Sequence, residues 1–373
     1  MIEEKTICIC GGGGLGSVIA GIAASGGYRV NILTRRPEKW GDEMTVIDPA
    51  GKIFVGKLNK VSDKAVEVIP ESDIIFFCLP GTAFYDEFIK IKPYVADSAV
   101  VGSVFSSTGF FITGIDVLGE DARLFGFQRV PYISRLKDYG HSAYLLGYKK
   151  SLNIAYWNVS DASRYTMLFE DMLHTRIVGL NHPLEAMLTN SNPILHPARL
   201  YTLFKDFNPE HPFVAPPLFY EDWTDESSEI LIACDNEFQS LVKSIGIKES
   251  VIPSLLEYYE STDASSLTRK IRSIVAFKGI YAPTKPVSGG MYVPDYDNRY
   301  FQEDIPLGLM LIKYMAQINH IPTPTIDMIL RWYEGLAGKD LLSGSEIADS
   351  EDTAAIRCLN SRIIKKLIST FDV

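Results

Sequence analysis

Apolar positions in the first half of the chain come in short, nearly continuous runs separated by glycine-rich or polar turns. Thr6-Ile7-Cys8-Ile9-Cys10 runs into glycines, residues 15–25 are rich in Ala and Ile, and residues 28–33 are rich in Tyr, Val and Ile. A short apolar run, a segment of helical length and a second β-rich run, in that order, predict a β-α-β unit. Residues 73–79 and 99–102 are again apolar almost throughout, as strands covered by helices on both faces should be, so the sheet is expected to be parallel. Further strands are expected over 124–127, 142–147 and 152–159, and the repeated alternation argues for a doubly wound, Rossmann-type sheet.

From about Asn181 the texture changes, and apolar residues recur at helical spacing over 230–245, 251–259, 307–318, 325–336 and 353–368. The fold class expected is therefore α/β, an N-terminal Rossmann-type doubly wound sheet followed by an all-helical C-terminal domain. The boundary is set near 180, giving domains 1–180 and 181–373. Residues 283–296, rich in Pro, Gly and Tyr, read as a long loop of the kind that often serves as a lid.

Composition narrows the function classes. With 46% hydrophobic and 11% aromatic residues over 373 positions, the chain has the apolar material for two cores, and disordered or fibrous classes are excluded. Its 36 Lys and Arg against 46 Asp and Glu give a formal charge of -10, which repels phosphate backbones and anionic lipid heads. Nucleic-acid and membrane-surface partners are thus unexpected. Five cysteines without metal-site or disulfide spacing suggest reduced thiols and a cytoplasmic location. The apolar stretch 7–24 is preceded by Glu3-Glu4 and contains four consecutive glycines, which argues against a signal peptide, and no run reaches the roughly 18 apolar residues a membrane span needs.

Gly11, Gly13 and Gly16 fit G-x-G-x-x-G, with Gly14 inside the same loop, directly after one predicted strand and before the helix. The first glycine allows a tight turn, the second lets backbone approach a pyrophosphate, and the third lets helix and strand pack closely. The helix N-terminus then faces the anion. A dinucleotide is expected. An NAD site usually carries an acidic residue after the second strand, about 20 residues beyond the loop, whereas here Thr34, Arg35 and Arg36 stand. A guanidinium grips a 2′-phosphate with paired hydrogen bonds that a carboxylate would repel, so NADP is favoured and NAD remains the alternative, with Arg35 and Arg36 then ordinary surface charges. The turn 102–109 follows another predicted strand and could border the same cofactor cleft, and Cys78 ends a run at the ligand-binding edge of the sheet, although a core thiol accounts for it equally well.

Acid–base chemistry near neutral pH points to histidine. Of six, His182, His196 and His211 each precede a proline, which biases them toward extended backbone and helix boundaries. Residue chemistry does not choose among the three. The chain resembles the octopine/nopaline (opine) dehydrogenase family, however, through features in one order along its length: the 11–16 loop, Gln128-Arg129-Val130-Pro131-Tyr132 with Arg135 and Tyr139-Gly140, Asn192-Pro193 with His196-Pro197, and Arg299-Tyr300 with Glu303-Asp304-Ile305-Pro306 and Gly308-Leu309.

The resemblance implies His196 as acid/base, Asp304 as its carboxylate partner and Arg299 as binder of the substrate carboxylate. It implies the reversible joining of an amino acid to a 2-oxo acid with reduction of the resulting imine. These residue types suit that chemistry: an imidazolium supplies the proton that compensates hydride transfer, an adjacent Asp fixes the ring, and a guanidinium fork orients a carboxylate. Asn192 is a further candidate for substrate binding, or simply a turn starter before proline. Arg299 and Asp304 could instead pair with one another, or the acidic pair could serve the dipole of a following helix. Two rival functions stay open: a simple 2-oxo or 2-hydroxy acid dehydrogenase, and a non-catalytic nucleotide sensor. The oligomeric state is open, a homodimer being one option.

Overall fold

The computed structural model describes residues 5–371, and the chain divides into two compact units, Met1–Met187 and Leu188–Val373. In the first, the strands are β1 (Thr6–Cys10), β2 (Arg29–Leu33), β3 (Glu43–Ile47), β4 (Ile53–Lys57), β5 (Lys60–Ser62), β6 (Ile74–Phe77), β7 (Val100–Ser103), β8 (Leu124–Phe127), β9 (Tyr132–Asp138), β10 (Ser142–Tyr148), β11 (Ser151–Trp157) and β12 (Arg176–Gly179). Eight of them form one sheet in the order β12-β11-β8-β7-β6-β1-β2-β5. All neighbours are parallel except β11 and β8, which run antiparallel. Every residue of β1 and β6 is buried, which is why their sequences lack alternation.

The run 142–147 does form a strand, yet not in this sheet. β10 belongs to a second sheet, ordered β4-β3-β10-β9, that packs on helix α1 (Gly14–Ser25). Alternation explains the difference: Ala143 and Leu145 are buried while Leu146 and Tyr148 face outward, the signature of a sheet wet on one side. Contact is close enough that a Cβ on Gly21 would sit 2.5 Å from a Val46 methyl, and one on Gly56 would sit 2.4 Å from the Ala24 methyl.

The second unit is mainly helical. Its longest helix, Asp225–Ile245, buries Leu231, Cys234, Phe238, Leu241, Val242 and Ile245 at helical spacing. It begins five residues before the apolar pattern does, because the Thr224 side chain accepts the Ser227 N–H and acidic Asp225 and Glu226 fill the first turn. Elsewhere the pattern overran the helices. Residues 251–259 hold only Leu255–Tyr258, and 353–368 is broken into Glu351–Ala354 and Ser361–Ser369, the latter started by an Asn360 cap. Nor is the unit wholly helical: the loop 283–296 folds into an antiparallel ribbon of Thr284–Pro286 and Tyr292–Pro294, and Leu342–Ser343 pairs with Glu346–Ile347. Among the described residues no helix is long and apolar enough to cross a membrane.

Candidate active site and cofactor cradle

The glycine loop lies at the carboxyl ends of β1, β2 and β6, where the strand order reverses about β1, the usual ligand position in open α/β sheets. Gly11 has φ +113, donates its N–H to the Leu33 carbonyl, and would place a Cβ 2.6 Å from the Cys78 carbonyl oxygen. A Cβ on Gly16 would meet the Gly11 carbonyl oxygen at 2.1 Å, so this glycine is required for helix and loop to touch. Gly13 differs, for nothing lies within 4 Å of where its Cβ would be. It caps α1, no side chain accepts from the helix N–H groups there, and no acidic residue occupies the first turn. Free donors, a positive helix end and open space beside Gly13 fit a pyrophosphate.

Beyond β2, Arg35 and Arg36 are exposed, and among the described residues neither forms an ion pair. The Arg36 guanidinium lies over the Tyr139 ring, 4.3 Å from its centroid, and the Tyr139 hydroxyl is 3.0 Å from that of Thr34. Burial alone would raise the Tyr139 phenol, but hydrogen bonding from Thr34 and the Arg36 charge outweigh it and hold the group below its usual range. Tyr139 and Trp40, in edge contact with each other, close over Gly12, where a Cβ would be 2.7 Å from the Tyr139 oxygen. Further along the same sheet edge, the hydroxyls of Ser107 and Thr108 are buried without a hydrogen-bond partner, with Thr108 pressed against Gly81. Cys78 is half-buried beside Gly16, and burial pushes its thiol upward.

The three histidines that precede proline have separate fates. His182 lies in the first unit, where burial lowers it to about 4 and its Nδ1 accepts the Leu184 N–H. His211 is exposed. His196 lies in the second unit, inside the helix Asn192–Phe204 and not at a boundary. Pro193 is tolerated because it occupies the first turn, whose N–H groups have no partner in any helix, whereas Pro197 lies inside the helix and removes the N–H that would bond the Pro193 carbonyl.

Asp304 belongs to a π-helix, Tyr300–Leu309. This wider winding, uncommon and frequent at functional sites, brings Tyr300 and Asp304 to the same imidazole. His196 Nδ1 donates to Asp304 Oδ2 at 2.7 Å, and the Tyr300 ring stacks on the imidazole at 4.0 Å between centroids. Gly308 lets the two helices approach, since a Cβ there would lie 2.9 Å from Pro193 Cβ. Both partners are sealed, His196 being 2% exposed and Asp304 4%. Asp304 therefore does not pair with Arg299. That guanidinium, 63% exposed along its side chain, reaches Glu303 at 4.0 Å instead, and with Tyr281, Thr284, Asn298 and Tyr300 it lines a cavity of about 240 Å³. Asn192, half-buried, is the first residue of the histidine helix.

Sequence reasoning missed two residues around His196. The Tyr220 hydroxyl is 3.0 Å from Nε2, and Arg199, one turn beyond His196, fixes the segment that carries it. Arg199 is 2% exposed and donates to the Phe219 and Asp222 carbonyls and to the Ser227 hydroxyl. Burial lowers it to about 10, so it remains a cation at neutral pH.

Residues 179–337 match the model of the NAD/NADP octopine/nopaline dehydrogenase alpha-helical domain. Residues 179–337 thus resemble the helical domain of that family. Over nearly the whole chain, octopine dehydrogenase from Pecten maximus is 29% identical, covering 94% of this chain and 95% of that protein. Tauropine dehydrogenase from Arabella iricolor is also 29% identical, covering 93% and 95%. A solved octopine dehydrogenase with NADH and L-arginine superposes with a TM-score of 0.84 at 28% identity, covering 95% of this chain and 94% of that one. The family resemblance and the Rossmann-plus-helical fold class are thereby borne out, and the chain is a nicotinamide-dependent oxidoreductase of the opine type.

Proposed function

We propose that the chain is an NADPH-dependent opine dehydrogenase that reduces the imine formed between an amino acid and a 2-oxo acid, reversibly, with His196 as acid/base, Asp304 as its orienting carboxylate and Arg299 as the carboxylate binder. The observation that carries this reading is the sealed His196–Asp304 contact at 2.7 Å beside a cavity that presents Arg299. A nicotinamide bound at the glycine loop supplies hydride. The protein's part is proton handling and orientation. With Nδ1–H committed to the Asp304 carboxylate, Nε2 is the nitrogen that exchanges a proton, and the nearby carboxylate stabilises the imidazolium when it forms. Arg299, exposed and held by a long 4.0 Å contact to Glu303, orients the 2-oxo acid by matching its planar carboxylate. Its open cavity, and the exposure of Arg35 and Arg36 without an ion pair among the described residues, support a carboxylate substrate and a 2′-phosphate cofactor. The five unpaired thiols support a reducing, cytoplasmic setting.

The test is direct. His196→Ala is expected to lower turnover by at least 10²-fold while leaving the NADPH dissociation constant unchanged, and unchanged turnover overturns the assignment. NADPH oxidation should require an amino acid together with the 2-oxo acid; oxidation with the oxo acid alone would show the simpler dehydrogenase. NADPH should bind more tightly than NADH, and the reverse order overturns the cofactor assignment.

A further inference from the structure

Three separate stretches of the first unit meet beside Gly12. A Cβ there would lie 2.7 Å from the Tyr139 hydroxyl oxygen, 2.9 Å from the Trp40 ring and 3.2 Å from the Thr34 hydroxyl oxygen. The glycine loop, the end of β2 and the tip of the β9–β10 hairpin therefore touch, although Thr34 and Tyr139 stand 105 positions apart. The hairpin tip is pinned in this place. Gly140 takes φ +79, a Cβ on it would lie 2.2 Å from the Lys39 carbonyl oxygen, and its own carbonyl accepts the Gly41 N–H at 3.2 Å. Donors outnumber acceptors where the stretches meet. The Thr34 and Tyr139 hydroxyls, 3.0 Å apart, carry two hydrogens, and one of them suffices for the bond between the oxygens, so the other is left to donate elsewhere. The Trp40 indole N–H is buried without a hydrogen-bond partner, whereas buried polar groups are normally paired. Among the described residues no carboxylate bonds to either hydroxyl. Arg36 adds a guanidinium that is exposed and lies 4.3 Å over the Tyr139 ring. A planar cation resting on an aromatic face is already oriented and gives up less freedom when it grips an anion.

We propose that Tyr139 is the residue that makes this cradle selective for a 2′-phosphorylated dinucleotide: its hydroxyl, paired with that of Thr34, donates to the phosphate, and its ring holds Arg36 in place for the charge. This rests on the NADPH reading argued above and adds to it a residue from outside the β1–α1–β2 unit. Thr34 follows β2 directly, where an NAD site would carry the acid that bonds the ribose. A carboxylate there would accept from the ribose hydroxyls; a pair of hydroxyls with a spare hydrogen suits a group that brings several acceptor oxygens and no donor. Hydrogen bonds from neutral donors to an ionised phosphate are of the strong, charge-assisted kind. A dinucleotide with a bare 2′-hydroxyl offers no charge to Arg36 and gains little from the pair. Ring and hydroxyl of Tyr139 thus have separable tasks, the one orienting Arg36 and the other meeting the phosphate.

Adenosine 2′,5′-bisphosphate and 5′-AMP differ by the one phosphate. The ratio of their dissociation constants, read on the full chain by displacement of NADPH fluorescence, isolates this contact from the rest of the cofactor and from turnover. The wild type should prefer the bisphosphate. Tyr139→Phe removes the hydroxyl and keeps the ring beneath Arg36; it should lower the preference roughly tenfold through weaker binding of the bisphosphate, with 5′-AMP nearly unaffected. Tyr139→Leu, which removes the platform as well, should lower it further. Thr34→Val deletes the other hydroxyl of the pair and should act in the same sense, so the outcome does not hang on the folding of one variant. A merely structural Tyr139 would weaken both nucleotides together and leave their ratio as it was. An unchanged ratio in folded Tyr139→Phe overturns the assignment while the NADPH reading stands, and a wild type that binds 5′-AMP as tightly as the bisphosphate overturns both.

Discussion

A neutral histidine whose Nδ1 proton is given to a carboxylate has one tautomer, and its Nε2 must be an acceptor. At His196 this follows from Asp304 at 2.7 Å, and it makes the oxygen atoms of Asp304 matter more than their charge alone. Asp304→Asn keeps the volume but can present an N–H to Nδ1, which favours the other tautomer and spoils Nε2 as a base. The expected loss in kcat is roughly 10³-fold, with NADPH binding and the unfolding temperature nearly unchanged, measured by steady-state kinetics, titration and calorimetry. A loss below tenfold would mean that orientation by Asp304 is not needed. At this scale the sequence carried part of the site. His196, Asp304 and Arg299 were reached through the family pattern, because 108 positions separate the first two and no local spacing links them. Tyr220 and Arg199 were not reached: Tyr220 sits 24 positions from His196 in a different segment, and nothing in a lone aromatic or a lone arginine tells a reader that it will be buried against an imidazole or a carbonyl pair.

Elements were legible where one physical rule dominated. The β1–α1–β2 unit follows from an apolar run, glycines and a helix-length segment, and Asp225–Ile245 from a sustained helical period. The π-helix Tyr300–Leu309 was not, since i→i+5 winding has no periodic sequence signature. The second sheet escaped for another reason: β3, β4 and β9 alternate buried and exposed residues over short lengths, a weaker signal than the continuous runs of the main sheet. The glycine loop allows a test that separates stability from binding. Gly16→Ala would force a methyl to within 2.1 Å of the Gly11 carbonyl oxygen, so it should destabilise the first unit as well as abolish dinucleotide binding. Gly13→Ala has no neighbour within 4 Å, and its extended backbone, φ -76, accepts alanine. It should leave thermal unfolding unchanged while weakening NADPH at least tenfold, read by fluorescence titration and calorimetry on the same samples. Full affinity in Gly13→Ala would mean that the pyrophosphate does not lie against this residue.

On the scale of the whole molecule, chemistry is divided between two units with cores of their own. Residues up to Met187 bury the strands and helices around the glycine loop; the remainder holds Trp223, Leu231, Phe238 and the sealed His196–Asp304 pair. The cofactor cradle is made by one unit, the acid/base and Arg299 by the other. A ligand that binds one folded unit and not its unfolded form stabilises that unit by mass action, about 2.7 kcal/mol at a hundred times its dissociation constant. For a unit of 150–250 residues this corresponds to a rise of roughly 5–11 °C in midpoint. Calorimetry of the full chain should therefore resolve into two components, and NADPH alone should raise the one assigned to the glycine-loop unit by that amount while the other moves little. Gly13→Ala identifies the component, because it should erase the rise without altering either midpoint in the absence of NADPH. Equal elevation of both components by NADPH would show that the units unfold as one cooperative body, and elevation of the helical unit alone would move the dinucleotide away from Gly11, Gly13 and Gly16.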